Sequence, residues 1–236
     1  MTIESEKIQS TVKEVLKSVS AWRTGHFLLS SGLHSDEYVQ CQRIMQYPRL
    51  GNFLADLLVD RLLDAKIEPD LVVGPALGAV HWELFVAGSL ERKKHESKTA
   101  ETNGASNYFL NCDTVFNALK SPYRERMVQA VFAERNADDT GFEIRRGIEL
   151  QPGAKVLVVE DVTTTGGSAK KVLDMLKRLE CEAVAVGAIA DRSGGKVAFD
   201  VPFISLIATS LETYKPEDCP LCKAGSVVEK PGSSKK

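Results

Sequence analysis

One segment of the chain, residues 155–179, constrains the fold more than any other. It contains the uninterrupted apolar run VLVV, continues through a turn of threonine and glycine, and ends in KKVLDMLKRL, whose apolar side chains recur at helical spacing. A short apolar run of this kind is typical of a buried strand in a parallel sheet, and helices connect such strands. The segment therefore predicts a strand–turn–helix unit of an α/β domain.

The rest of the chain repeats this alternation of strands and helices. The strands DLVVG, AVAVGAIA and FISLIA are predicted to join the same sheet, and a helix with a buried leucine stripe is predicted to begin at Pro48. Residues 4–19 and 83–90 are predicted to be helical, while 127–134 and 142–150 are predicted to pair as a hairpin. We therefore expect a mostly parallel sheet flanked by helices.

Three segments differ from this core in composition. Residues 25–40 separate short apolar groups with glycine, serine and aspartate, which predicts a surface hairpin that could reach a ligand. Residues from about 92 to 123 are charged and polar, and we expect a mobile insertion there because they can bury little apolar surface. The tail is polar and is expected to be loosely held. The single domain, residues 1–236, thus divides into an amino-terminal segment of residues 1–47, a core of residues 48–210 and a tail of residues 211–236.

The bulk composition excludes several classes of protein. The 236 residues include 30 basic and 32 acidic side chains, so no global field draws the chain onto nucleic acid or an anionic membrane. No stretch approaches the roughly 18 consecutive apolar residues of a membrane span, and MTIESEKIQS lacks the pattern of a secretion signal. The five cysteines are an odd number scattered along the chain, which is not typical of a disulfide framework. We expect a cytoplasmic protein with reduced thiols.

Two cysteines and two histidines could bind a metal or take part in catalysis, but each pair also has a structural explanation. Cys219 and Cys222 form a CxxC, which becomes a zinc site only with two more ligands, and no second pair stands at a suitable spacing. We therefore interpret the CxxC as a turn of the tail. His26 and His34 flank the predicted hairpin beside glycine and serine, where structural histidines are common, and we assign them no role.

The turn after the strand of segment 155–179 carries the groups that point to chemistry. Glu160 and Asp161 end the strand, and a glycine- and hydroxyl-rich turn leads into the helix. Its backbone N–H groups and the positive end of the helix dipole suit a monophosphate, while the two carboxylates can accept hydrogen bonds from ribose hydroxyls. The turn lacks both the GxxxxGK[ST] and the GxGxxG spacing, so those two phosphate-binding motifs are excluded.

The string VVEDVTTTGGS resembles the signature of the type I phosphoribosyltransferases. GHFLLSSGLHSDEYVQ resembles the hood that covers the base in the orotate branch of that family, VVGPALGA resembles its pyrophosphate loop, and AIADRSGG resembles the strand end with a base-binding arginine. The resemblance implies a type I phosphoribosyltransferase fold with a hood formed by the chain ends.

The same resemblance assigns roles to individual residues. Thr164 and Arg192 would contact orotate, and a guanidinium suits its carboxylate because the two can form paired hydrogen bonds. Tyr38 is a candidate to stack on the base, with packing in the hairpin as the alternative. The donor, 5-phosphoribosyl-1-pyrophosphate (PRPP), would be bound by Glu160, Asp161, Val162, Thr163, Thr164, Thr165, Gly166, Gly167 and Ser168, and its pyrophosphate by Gly74, Pro75, Ala76, Leu77 and Gly78.

The chain departs from the family pattern where the departing pyrophosphate needs positive charge. The best-known branch has several basic residues and a histidine in a mobile loop, whereas FAERNADDTG keeps only Arg135, and Gly78 replaces a lysine. Arg145 and Arg146 are the nearest substitutes, and in a strand they would face opposite sides. Arg135 and Lys230 are weaker candidates. The predicted catalytic set is Asp161, Arg135, Arg145 and Arg146.

The resemblance also implies the reaction and its partners. Orotate and PRPP would give orotidine 5'-monophosphate and pyrophosphate, a step of UMP biosynthesis, in a homodimer. Magnesium would be held through the donor's pyrophosphate and ribose hydroxyls, with no direct protein ligand. Two alternatives remain: a transferase for another base, such as a purine or uracil, and a regulator that binds PRPP without turnover.

Overall fold

The computed structural model describes residues 3–29, 31–100 and 127–231. Strands in these ranges are β1 (Trp22–Leu28), β2 (His34–Val39), β3 (Leu71–Pro75), β4 (Gln129–Arg135), β5 (Phe142–Glu143), β6 (Lys155–Thr163), β7 (Glu182–Asp191) and β8 (Phe203–Ala208). A six-stranded sheet has the order β5-β4-β3-β6-β7-β8. Its neighbouring strands are parallel except for β4 and β5, and β1 and β2 form a separate antiparallel hairpin.

Helices cover both faces of the sheet. They are α1 (Ile3–Ser18), α2 (Pro48–Asp64), α3 (Val80–Ala100), α4 (Gly167–Arg178) and the short α5 (Pro220–Lys223), with a 3-10 helix at Cys41–Gln46. Side chains of α1, α2 and α3 pack on one face of the sheet and those of α4 on the other. The structure confirms the predicted α/β fold. Among the described helices, none is long and apolar enough to cross a membrane.

The period-two pattern of the central strands explains this two-sided core. In β6, Leu157 and Val159 join the cluster under α2, whereas Val156 and Val158 join the cluster under α4, and all four are fully buried. Leu58 of α2 is also fully buried. Each such side chain contributes roughly 1.5–3 kcal/mol when it leaves water. Burial on both faces explains why the strand reads as an uninterrupted apolar run.

The two ends of the chain meet at the hairpin. Leu28 N donates to Glu229 O at 2.8 Å and Glu229 N donates to His26 O at 2.7 Å, so the tail adds a short third strand beside β1. Tyr214 and His34 exchange two further backbone hydrogen bonds, at 2.8 and 2.9 Å. The expectation of a loosely held tail is therefore wrong for residues 211–231. Residues 232–236 lie outside the described ranges.

The predicted insertion is helical where it begins. Helix α3 continues to Ala100, well past the predicted end at residue 90. Two of the charged side chains that suggested a loop instead pair with α2: Arg92 Nη2 lies 2.7 Å from Asp56 Oδ1, and Lys93 pairs with Asp60. Residues 101–123 of the predicted insertion lie outside the described residues.

The hairpin partner of β4 is much shorter than expected. Pairing is limited to Phe142–Glu143, and the chain turns at Arg146 and Gly147, which have φ values of 64° and 70°. The expectation that Arg145 and Arg146 alternate sides along a strand is therefore wrong. Both side chains are exposed in a turn.

Candidate active site

The candidate site lies at the carboxyl edge of the sheet, where β3, β6 and β7 end together. Thr163 and Asp191 are neighbours in the β6–β7 register, and Arg192 N donates to Thr163 O at 2.7 Å. A Cβ at Gly78 would lie 3.0 Å from Asp161 Oδ1, so the loop after β3 packs against the acidic end of β6. The parallel sheet thus brings the pyrophosphate loop, the acidic turn and Arg192 to one place.

Glu160 and Asp161 are held in an environment that disfavours their charge. Burial raises the pKa of Glu160 to about 8, with a further increase from neighbouring Asp161 and a decrease from Arg135. Burial also raises the pKa of Asp161, although Val162 N donates to its Oδ1 at 2.8 Å. In the described ranges neither carboxylate forms an ion pair. Hydroxyl donors or a cation from a bound ligand would therefore improve their solvation.

The turn between β6 and α4 has the shape of an anion site. Gly166 adopts a left-handed conformation with a φ of 72°, and a Cβ there would lie 2.8 Å from Val197 and 3.0 Å from Phe199. Only glycine fits this position. Thr164 and Thr165 are exposed on the turn, and Gly167 N at the start of α4 donates a long hydrogen bond of 3.4 Å to Thr165 Oγ1. The N-cap residue Gly166 has no side chain to cap the helix, so this end of α4 suits an anion.

A buried acid that the sequence analysis missed supports the pyrophosphate loop. Glu83 of α3 is 3 % exposed, and its Oε2 accepts a hydrogen bond from Gly74 N at 3.1 Å. Burial raises its pKa to about 8. The loop itself contains a cis peptide between Ala76 and Leu77 and exposes the Leu77 side chain. A glutamate among the apolar residues of HWELFVAG was the signal available in the sequence.

Arg192 brings a positive charge into the site without an internal acceptor. Its guanidinium is half-buried, and Nε is buried with no hydrogen-bond partner in the described portion of the chain. Burial lowers the pKa of Arg192, while Tyr38 and Cys41 act in the opposite direction. Cys41 is also influenced by Asp161. Arg192 is thus within electrostatic range of Tyr38 on β2 and of Cys41, and Cys41 is within electrostatic range of Asp161.

The three candidate arginines of the β4–β5 region are not equivalent. Arg135 lowers the pKa of Glu160, so it lies within electrostatic range of the acidic turn, and it also pairs with Asp139 at 2.8 Å. Arg145 pairs with Glu143, and Arg146 pairs with Glu134 at 3.0 Å. The structure thus brings Arg135 toward the site and pairs the other two with acids of their own hairpin. Their catalytic roles stay predictions, as does that of Lys230.

A parallel sheet whose carboxyl edge carries a glycine- and hydroxyl-rich turn, adjacent acids and an arginine with no Nε partner among the described residues is typical of an α/β protein that handles a sugar phosphate. Comparison with known families identifies it further. The family described as phosphoribosyl transferase domain matches residues 42–215, and the chain belongs to this family. This confirms the resemblance stated from the sequence.

Individual relatives agree with this assignment. A Thermotoga maritima protein named orotate phosphoribosyltransferase is 41% identical over 222 residues, which cover 94% of this chain and 97% of that protein. The crystal structure of Mycobacterium tuberculosis orotate phosphoribosyltransferase matches with a TM-score of 0.55 at 22% identity, over 86% of this chain and 97% of that one. Adenine phosphoribosyltransferase from Saccharomyces cerevisiae matches with a TM-score of 0.54 at 17% identity, over 83% and 99%. The fold is therefore shared by enzymes named for different bases.

Proposed function

We propose that the chain is an orotate phosphoribosyltransferase, which converts orotate and PRPP to orotidine 5'-monophosphate and pyrophosphate in UMP biosynthesis. The observation that carries the proposal is Arg192, a half-buried guanidinium whose Nε lacks a partner among the described residues. Orotate carries a carboxylate that a guanidinium can bind, whereas adenine, hypoxanthine and uracil have no carboxylate. The relatives at about 40% identity that bear this name support the same base.

The acidic turn would bind the donor. The 5-phosphate accepts hydrogen bonds from the N–H groups around Gly166 and the first turn of α4. Glu160 and Asp161 accept hydrogen bonds from the two ribose hydroxyls, which offset the burial that disfavours the charge of both carboxylates. The loop of Gly74 to Gly78 lies beside Asp161 and can surround the pyrophosphate.

Magnesium fits the chemistry of this site. The two carboxylates at the end of β6 are oxygen donors with raised pKa values, and added positive charge nearby would favour their ionised forms. We propose that Mg²⁺ binds through the pyrophosphate and the ribose hydroxyls of the donor. When bound, it would neutralise charge on the leaving group.

Positioning and electrostatics would account for the reaction. Arg192 holds the orotate carboxylate, and Tyr38 of the hood lies within electrostatic range of Arg192. The base nitrogen then forms its bond to C1 of the ribose as the C1–O bond to pyrophosphate breaks, so no protein nucleophile is needed. Arg135 is the cation best placed to offset negative charge as the bond breaks.

A direct assay tests the proposal. Purified protein is incubated with PRPP, magnesium and one of four bases: orotate, adenine, hypoxanthine or uracil. Formation of orotidine 5'-monophosphate from orotate is the expected result. Turnover of a different base would keep the family and discard the role of Arg192. Donor binding without any product would favour the regulator, a candidate supported by the acidic loop at 134–139.

The assembly and the compartment belong to the same proposal. We propose a homodimer, which is supported by apolar side chains left exposed on or beside α2 and α3, namely Tyr47, Phe53 and Leu84. Light scattering would measure the mass of the assembly, and the mass of a monomer would contradict the proposed homodimer. We also propose that the protein acts in the cytoplasm, consistent with thiols that are free in the described cysteines.

A further inference from the structure

Four side chains with metal-binding atoms meet where the hairpin touches the tail. They are His26 and His34 of the hairpin and Cys219 and Cys222 of the tail, and their ligand atoms all lie within 4.8 Å of one another. The premise that no second ligand pair accompanies the CxxC is therefore wrong. His26 and Cys219 are 193 residues apart in sequence, so a spacing pattern could not reveal the cluster.

Three nitrogen–sulfur distances within the cluster match a tetrahedral site. Zinc bonds of about 2.0–2.1 Å to nitrogen and about 2.3 Å to sulfur place nitrogen and sulfur ligands about 3.5 Å apart. The corresponding distances here are 3.5 Å from Cys219 Sγ to His26 Nε2, 3.6 Å from Cys222 Sγ to the same atom, and 3.3 Å from Cys222 Sγ to His34 Nδ1. The two histidine nitrogens are 2.8 Å apart, so a metal would move them apart by about 0.5 Å.

The tautomer of His26 also suits a ligand. Its Nδ1 lies 3.0 Å from the backbone oxygen of Ser226, and a carbonyl oxygen can only accept a hydrogen bond. Nδ1 therefore carries the proton, and Nε2 presents its lone pair to the cluster. Metal-binding histidines are usually oriented in this way by a hydrogen bond from the other ring nitrogen.

The backbone fixes the ligands before any metal binds. His26 O and His34 N and O are hydrogen-bonded to Glu229 and Tyr214 of the tail. Both histidines are about 5 % exposed and Cys219 is fully buried. Two thiolates would balance a divalent cation, so the occupied site would bury no net charge.

We propose that His26, His34, Cys219 and Cys222 bind one zinc ion that fastens the tail to the hairpin. Two nitrogen and two sulfur ligands select zinc over magnesium, and four protein ligands leave no open position for a substrate. The site is thus structural and separate from the acidic turn of β6. The proposal does not depend on which base the enzyme uses.

Metal analysis of the full chain tests this proposal. The protein is expressed without a histidine tag, purified without chelators, and analysed for zinc by mass spectrometry. We expect about one zinc ion per chain, and its release when a mercurial blocks the thiols. Less than about a tenth of an ion per chain, in folded protein that has also been offered zinc, would overturn the proposal.

Variants locate the ion. Cys219→Ser, Cys222→Ser and His26→Ala should each lose the zinc, whereas Cys181→Ser and His81→Ala, which change the same residue types elsewhere, should keep it. Zinc retained by all three cluster variants would contradict the site. If a variant does not fold, replacement of zinc by cobalt in the unaltered protein gives a second answer. The intense visible absorption of tetrahedral, thiolate-bound cobalt is expected, and its absence, or a Cys219–Cys222 disulfide in protein purified under reducing conditions, would exclude the site.

Discussion

Arg192 is the residue on which the proposed base recognition depends. Arginines such as Arg23 and Arg146 pair with a carboxylate near the surface, with Glu229 and Glu134 respectively. Arg192 instead has a half-buried guanidinium and an Nε with no partner in the described ranges. Burial of an unpaired cation costs stability, so a ligand carboxylate is the natural acceptor.

Removal of this guanidinium should weaken orotate use selectively. We expect Arg192→Ala to lower kcat/KM for orotate about 10- to 100-fold, because charge-assisted hydrogen bonds contribute roughly 1.5–3 kcal/mol each. The KM for PRPP should change little. Arg178→Ala, which removes an arginine from the end of α4, is the matched control. Unchanged orotate kinetics in Arg192→Ala would contradict the assignment.

Glu83 makes stability depend on pH. Its pKa is about 8 in the folded protein against 4.5 for an unperturbed glutamate, so between these values the folded state keeps a proton that the unfolded state has lost. Stability from this group is therefore fully present below the lower pKa and is lost as pH rises through the window.

The variant Glu83→Gln should remove this dependence. Glutamine imitates the protonated acid and can still accept the hydrogen bond from Gly74. From about pH 5 to about pH 8, the unaltered protein should lose on the order of 4 kcal/mol more unfolding free energy than the variant. Urea denaturation at the two pH values measures the difference. Parallel pH profiles would show that Glu83 is ionised in the fold.

At the scale of elements, the turn between β6 and α4 is built around Gly166. Its positive φ and its contacts with Val197 and Phe199 leave no room for a side chain. A Cβ would both strain the backbone and shift the N–H groups that we propose bind the donor phosphate.

The matched control for Gly166→Ala is Gly153→Ala, because Gly153 has the same left-handed backbone conformation but lies outside the candidate site. Gly153 has a φ of 78°, and a Cβ there would meet nothing within 4 Å. Both substitutions should cost about 1–2 kcal/mol of stability from the backbone alone. Only Gly166→Ala should also raise the KM for PRPP, by about tenfold or more. Equal donor kinetics in the two variants would argue against the turn as the phosphate site.

The β4–β5 hairpin offers one arginine to the site. Arg135 influences Glu160, whereas Arg145 and Arg146 pair with Glu143 and Glu134. We expect Arg135→Ala to lower kcat about 10- to 100-fold by removing positive charge near the leaving group. Arg145→Ala and Arg146→Ala serve as charge-matched comparisons and should retain most activity. A larger loss of kcat in Arg145→Ala or Arg146→Ala than in Arg135→Ala would contradict the choice of Arg135 as the catalytic arginine.

For the whole molecule, the sequence predicted what local patterns encode. Alternation of apolar strands and amphipathic helices indicated the parallel sheet, and the string from Glu160 to Ser168 indicated the turn at its edge. These features depend on residues close together in sequence, so the spacing of apolar residues and the composition of turns reveal them.

Features that depend on distant pairing were not predicted. Helix α3 extends through a charged stretch because α2 supplies Asp56 and Asp60, and the tail is ordered because the hairpin supplies backbone partners. The His and Cys cluster joins both ends of the chain. Contacts between segments far apart in sequence leave no periodic signal, and the fold is needed to show them.

The ratio of kcat/KM for orotate to that for uracil tests the central claim most directly, because uracil is orotate without its carboxylate. A site that holds the carboxylate through Arg192 should prefer orotate by about 10⁴-fold, since uracil would leave the buried guanidinium without a partner. A ratio near one, or efficient turnover of uracil or a purine with little use of orotate, would contradict the account of base recognition at the edge of the sheet.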